Sequence, residues 1–136
     1  MAVPVGSAHL SDEEFLAAFN DCSLPGSSFR HGDHLRLAWL LLHQYPFEEA
    51  LHRVREGLRR FATHNNAPKL FHETITIAWV RLLATHHEHD FAEFLDTNGS
   101  RLHKDFLLEF WSSEVLQSAA AKAGWVAPDI RELPAI

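Results

Sequence analysis

The sequence predicts an all-α fold, a single compact helical bundle of about five to seven helices. Three observations carry this expectation. Apolar residues recur at three- and four-residue spacing through most of the chain, no segment alternates apolar and polar residues as a half-buried strand would, and Pro, Gly or capping residues punctuate the periodic stretches. With 136 residues, 46% of them hydrophobic, residues 1–136 form one domain with a core of its own.

Residues 1–10 hold Pro4 and Gly6 without periodicity and read as a flexible arm. Ser11 and Glu14 fit a capping box, opening a first helix from about Asp12 to Cys22 with Phe15, Leu16 and Phe19 inward. After the Pro25-Gly26 break, Asp33 is placed to cap a second helix that runs to about Gln44 and stops at Tyr45-Pro46. A third starts near Phe47, carries Ala50, Leu51, Val54, Leu58 and Phe61 at helical spacing, and ends around His64 to Ala67. Pro68 restarts the chain, and a fourth helix is expected from about Lys69 to His87. Short helices follow near Asp90–Leu95 and Leu102–Phe110, then near Ser113–Ala123, where Gly124 ends the pattern. Residues 125–136 read as a C-terminal tail.

Composition excludes several functional classes. A formal charge of -6 argues against a phosphate-backbone binder, which would concentrate Lys and Arg, so no nucleic-acid partner is expected. The longest apolar run, Leu37 to Leu42, falls far short of the roughly 20 residues that span a bilayer, so no membrane partner is expected either. A lone Cys22 cannot form an internal disulfide, and the amino terminus lacks the basic region and apolar run of a secretory signal. A cytoplasmic protein is the expectation.

Histidine is the outlier, with 11 spread between His9 and His103. An internal echo singles out some of them. HGDHLRLAWLL (31–41) aligns with FHETITIAWVR (71–81), matching Asp33 with Glu73 and Trp39 with Trp79. Each string opens with acid and imidazole groups and continues as an apolar rod. Positions three and four apart share a helical face, so His31 and His34 can converge, while His72 heads the stripe Ile75, Trp79, Leu82 and Leu83. Imidazoles pointing inward need partners.

A divalent transition metal would supply one, since imidazole suits Zn, Fe, Cu and Ni. His31, His34, His72 and Glu73 would be its ligands, with room left for a small organic substrate. In this leading reading, a small metalloenzyme, Glu73 is a fourth ligand or the catalytic acid/base, and Asp33 is a second catalytic carboxylate that relays protons or orients an imidazole. Trp39, Trp79, Phe29, Phe71 and Thr76 would line the substrate pocket. Two alternatives use the same residues: a non-enzymatic module that binds a small molecule in the aromatic pocket, with the histidines only hydrogen-bonding, or a metal-free lyase or isomerase built on a His/Glu pair. The plain structural alternative is that the acids and imidazoles cap helices.

Other motifs carry less. HETIT begins like the His-Glu-x-x-His metalloprotease helix, but Thr76 replaces the second histidine, so that reading fails. His86, His87, Glu88, His89 and Asp90 form a denser cluster, read as a solvated helix terminus. Arg53, Arg55, Arg59 and Arg60 read as the surface face of the third helix. Trp125, Val126, Ile130, Leu133 and Ile136 are too apolar to be idle in water. They either fold back on the bundle or cover a second copy in a homodimer.

The strings FRHGDHLRLAWLLL and LFHETITIAW resemble a pattern of small bacterial helical proteins of unassigned function, HxDHxxxAW followed by HETxT, over about a fifth of the chain. The resemblance implies that both strings belong to one unit. It implies neither an activity nor a cofactor.

Overall fold

A computed structural model describes residues 3–136. Among them are seven α-helices and no strand: α1 Asp12–Asn20, α2 His31–Gln44, α3 Phe47–His64, α4 Glu73–Leu83, α5 Phe91–Asn98, α6 Ser113–Leu116 and α7 Ala119–Ala123. Three 3₁₀ turns, Gly26–Ser28, Pro68–Leu70 and Lys104–Glu109, link them. The last replaces the α-helix expected near Leu102–Phe110.

α2 is the central rod. Leu35, Leu37, Ala38, Trp39, Leu40 and Leu41 are all buried, so this helix is enclosed on several sides at once. It packs on α3 and α4, which also pack on each other; α1 lies on α3, α5 on α2 and α7 on α4. α3 is amphipathic by contrast, burying Ala50, Val54, Leu58 and Phe61 and turning its charges outward.

Several helix ends differ from the sequence expectation for local reasons. The Ser11–Glu14 capping box forms, but α1 stops at Asn20 because Cys22 adopts a left-handed backbone, φ 62°, which a helix cannot continue. α2 begins at His31 with Arg30 as its N-cap, so Asp33 lies inside the first turn and caps the helix from there, accepting the Arg30 amide. The expected Lys69–His87 helix is interrupted: Pro68–Leu70 is a 3₁₀ turn, Phe71 and His72 are extended, and α4 ends at Leu83 as Thr85 and His86 close tighter turns onto Leu82 and Leu83. The Ser113–Ala123 stretch divides at Gln117, and Ser118 caps a separate α7.

The amino-terminal arm is docked, which corrects its reading as flexible for residues 3–10; Met1 and Ala2 lie outside the described residues. Asp33 is fully buried and its carboxylate accepts from the amides of Gly6 (2.8 Å), Ser7 (2.9 Å) and Arg30 (2.8 Å) and from the Ser7 hydroxyl. One turn on, the buried Arg36 donates to the carbonyls of Ser7 (2.8 Å) and Leu10 (2.7 Å) and pairs with Asp12. The fit requires glycine at two positions: a Cβ on Gly6 would lie 1.8 Å from the Ser28 carbonyl, and one on Gly32 2.4 Å from that of Pro4.

The tail folds back. Trp111 Nε1 donates to Val126 O (2.9 Å), the Val126 amide donates to Thr74 Oγ1 (3.1 Å), and the Ile130 amide donates to Phe110 O (2.8 Å). Trp125, Ile130 and Ile136 still keep exposed surface. No helix is long and apolar enough to cross a membrane among the described residues.

Asp33→Ala leaves the amides of Gly6, Ser7 and Arg30 and the Ser7 hydroxyl short of an acceptor, so it should cost about 3 kcal/mol of unfolding free energy. Urea denaturation measures the loss, and limited proteolysis should show new cleavage within residues 3–10. A loss below about 1 kcal/mol, the size of an ordinary exposed contact, would contradict this role.

Candidate functional site

The beginnings of α2 and α4 meet. They open onto one cavity of about 650 Å³ between α2, α3 and α4, a size suited to a small organic ligand. Its deep wall is apolar and buried, formed by Ala38 of α2, Val54, Leu58 and Phe61 of α3, and Trp79 and Val80 of α4. Phe29, Phe71 and Ile75 are half-buried along its sides, while Ser27, Asn65 and Leu70 form an exposed rim.

All three singled-out histidines line this cavity, as do Trp79, Phe29, Phe71 and Thr76. Trp39 does not: it stacks against Phe94 (5.0 Å between ring centres) and His43 on the other side of α2. The echo between the strings does not extend to the surroundings of this pair, since Trp39 meets α5 and Trp79 lines the cavity.

Each imidazole has a tautomer dictated by its neighbours, since a carbonyl can only accept. His31 donates from Nε2 to Leu102 O (2.9 Å), leaving Nδ1 with a lone pair, and its ring lies 4.9 Å from that of Trp79 in an edge contact. His34 donates from Nδ1 to Arg30 O (3.0 Å), leaving Nε2 free, and its ring lies 4.5 Å from that of Phe29. His72 uses both nitrogens: Nε2 donates to Leu116 O (2.8 Å), while Nδ1 accepts the Ile75 amide (3.1 Å) as the N-cap of α4. His72 is therefore a structural wall, and His31 and His34 hold the free lone pairs.

Burial pulls the His31 pKa below the ordinary histidine value, against the opposing bond to Leu102, and His103 and Lys104 add to the lowering. His34 is exposed where it lines the cavity, and the side chains crowding its ring lower its pKa too. The bond to Arg30 opposes that shift, His31 reinforces it and Asp33 opposes it. Both are neutral acceptors near pH 7.

The two acids expected to be catalytic do not line the cavity and are already engaged by other partners. Asp33 is consumed by Gly6, Ser7 and Arg30. Glu73 is 3% exposed and salt-bridged by two arginines of α3, Arg55 at Oε1 and Arg59 at Oε2 (2.5 Å). Burial alone would raise the Glu73 pKa; the hydrogen bonds and charges of Arg55 and Arg59 outweigh it and hold the carboxyl below its usual range. The ligand set His31, His34, His72 and Glu73 is thus not assembled. Among the described residues no three His, Cys, Asp or Glu side chains stand where they could hold one metal ion.

Sequence reasoning missed the α3 wall and the two arginines, which read as an ordinary surface face. The available signal was their i, i+4 spacing, which presents two guanidiniums to one acid on a neighbouring helix. The 86–90 cluster lies in the loop after α4: Glu88 accepts from Asn98 Nδ2 (3.1 Å) and contacts His86 at 3.3 Å, Asp90 caps α5, and His89 is exposed. No protein-family model, curated protein or solved structure matches the chain, so its resemblance to small bacterial helical proteins rests on the two strings alone.

Glu73→Gln should destabilise the fold by about 2–4 kcal/mol at pH 7, discounted from a fully buried pair because Arg55 and Arg59 are partly exposed. Because the folded-state pKa of Glu73 is lowered, its contribution is complete above the unfolded value of about 4.3 and is lost as pH falls through the folded one. Urea titrations from pH 7 to pH 3 should show the gap between parent and variant closing only below about pH 4. A gap constant with pH would contradict the assignment.

Proposed function

We propose that the protein binds a small, largely apolar organic molecule in the α2–α3–α4 cavity, with His31 and His34 as its polar anchors. The observation that carries this reading is an aromatic and aliphatic cavity of about 650 Å³ in which these two imidazoles each keep one unused ring nitrogen. Apolar walls supply affinity by removing ligand surface from water, and a few fixed polar groups supply orientation. The same neutral imidazoles are chemically able to take a proton from a bound acid, so any acid-base chemistry falls to His31 or His34, not to a His/Glu pair. The metal expectation reduces to a transition ion on those two nitrogens, with ligand or water completing its shell.

A polarity-sensitive uncharged fluorophore such as N-phenyl-1-naphthylamine should bind saturably, at one molecule per chain. Ala62→Trp, which fills the cavity from α3, should weaken it at least about tenfold without lowering the melting temperature by more than a few degrees. Trp39→Phe, outside the cavity, should leave binding unchanged. Absence of saturable binding, or binding indifferent to Ala62→Trp, would overturn the reading. Stoichiometric Zn or Ni uptake by tag-free protein, lost in both His31→Ala and His34→Ala, would instead favour the metal-bearing form of the site.

A further inference from the structure

The polar inventory of the cavity is one-sided. Among the described residues lining it there is no Lys, Arg, Asp or Glu. Arg59 stacks on the Phe71 ring at 4.8 Å, but its charge is engaged by Glu73. His72 has no nitrogen left, and Asn65, which donates from Nδ2 to Phe61 O, keeps its remaining amide groups at the exposed rim. What remains among the lining side chains is two imidazole lone pairs, His31 Nδ1 on a half-buried ring and His34 Nε2 on an exposed one, the Ser27 hydroxyl at the rim, and the buried Thr76, whose hydroxyl makes no hydrogen bond within the described residues.

Two acceptors without a fixed cation fit a donor. From this geometry we infer that the ligand class is an uncharged aromatic molecule bearing a hydroxyl or N–H group, held by donation to His31 or His34 with its ring between Trp79 and the phenylalanines. A carboxylate or phosphate in this cavity would be desolvated against lone pairs of its own sign, and an ammonium would find no carboxylate to pair with. A ligand with no donor would cover the half-buried His31 lone pair without pairing it, which also costs affinity. The depressed basicity of both imidazoles agrees with this, since neither is held as a cation that would favour an anion. The inference rests on the cavity being the binding site, and its test separates the two.

Four matched probes serve: 2-naphthol, 2-methoxynaphthalene, naphthalene and 2-naphthoate, titrated by quenching of tryptophan fluorescence at pH 7.5. At this pH the naphthol is protonated and the naphthoate ionised. The expected order places 2-naphthol about tenfold tighter than 2-methoxynaphthalene and naphthalene, with naphthoate weakest. In His31→Phe and His34→Phe the advantage of the naphthol over its methyl ether should shrink in at least one variant, while the ether still binds and so reports an intact cavity. Equal affinity for naphthol and ether, or an advantage untouched by both variants, overturns the ligand class and leaves the cavity reading standing. Tightest binding of naphthoate overturns it in favour of an anion. If none of the four binds, the class and the cavity reading both fall.

Discussion

A carboxylate taken out of water must be surrounded by donors, and this constraint governs how the two key helices begin. Asp33 and Glu73 are both buried at the amino-terminal turns that flank the cavity. Each meets the constraint by capturing chain from elsewhere: Asp33 the backbone of the amino-terminal arm, Glu73 two guanidiniums of α3. A helix start with its positive dipole end would accept an acid in any case. Here the acids also cross-link, so the imidazoles beside them sit on fixed backbone. The charges nearest the site are spent on architecture, which leaves the chemistry of the cavity itself uncharged.

That division explains what was legible in the sequence. The periods of α2, α3 and α4 follow directly from apolar spacing, because those helices are long and each buries a continuous stripe. The later elements are short and capped by single side chains such as Ser112 and Ser118, so their boundaries depend on tertiary contacts that spacing does not encode. That His31, His34 and His72 head apolar stripes at two helix mouths was legible in the spacing, whereas that both mouths open onto one cavity was not. Nor were their partners. Leu102, Leu116 and Arg30 contribute main-chain carbonyls, and a carbonyl has no residue signature. Asp33 and Glu73 looked catalytic for the reason that they are structural: an acid beside histidines reads the same whether its oxygens face a cavity or a ring of donors.

The cavity is framed unevenly. Its deep wall belongs to three mutually packed helices, whereas its rim is carried by two 3₁₀ turns, Gly26–Ser28 and Pro68–Leu70. Short turns with few buried contacts open at lower free energy than packed helices. Leu70, 79% exposed on one of them, extends apolar surface to the mouth, where an entering molecule first leaves water. Rigidity is thus concentrated where the ligand would be oriented, and compliance where it would enter.

The anchoring of the histidines to carbonyls has an evolutionary consequence. A side chain that orients a ring by its own oxygen must persist for the site to persist, whereas any amino acid at positions 30, 102 or 116 presents the same carbonyl. Packing restricts the buried Leu102 and Leu116 to residues of similar bulk, but nothing about the imidazoles requires leucine. Lineages of this fold can therefore drift at the residues that supply those carbonyls, within the bulk that packing allows, while the rings stay in place. The site would survive in descendants as isolated histidines with no co-varying polar partners.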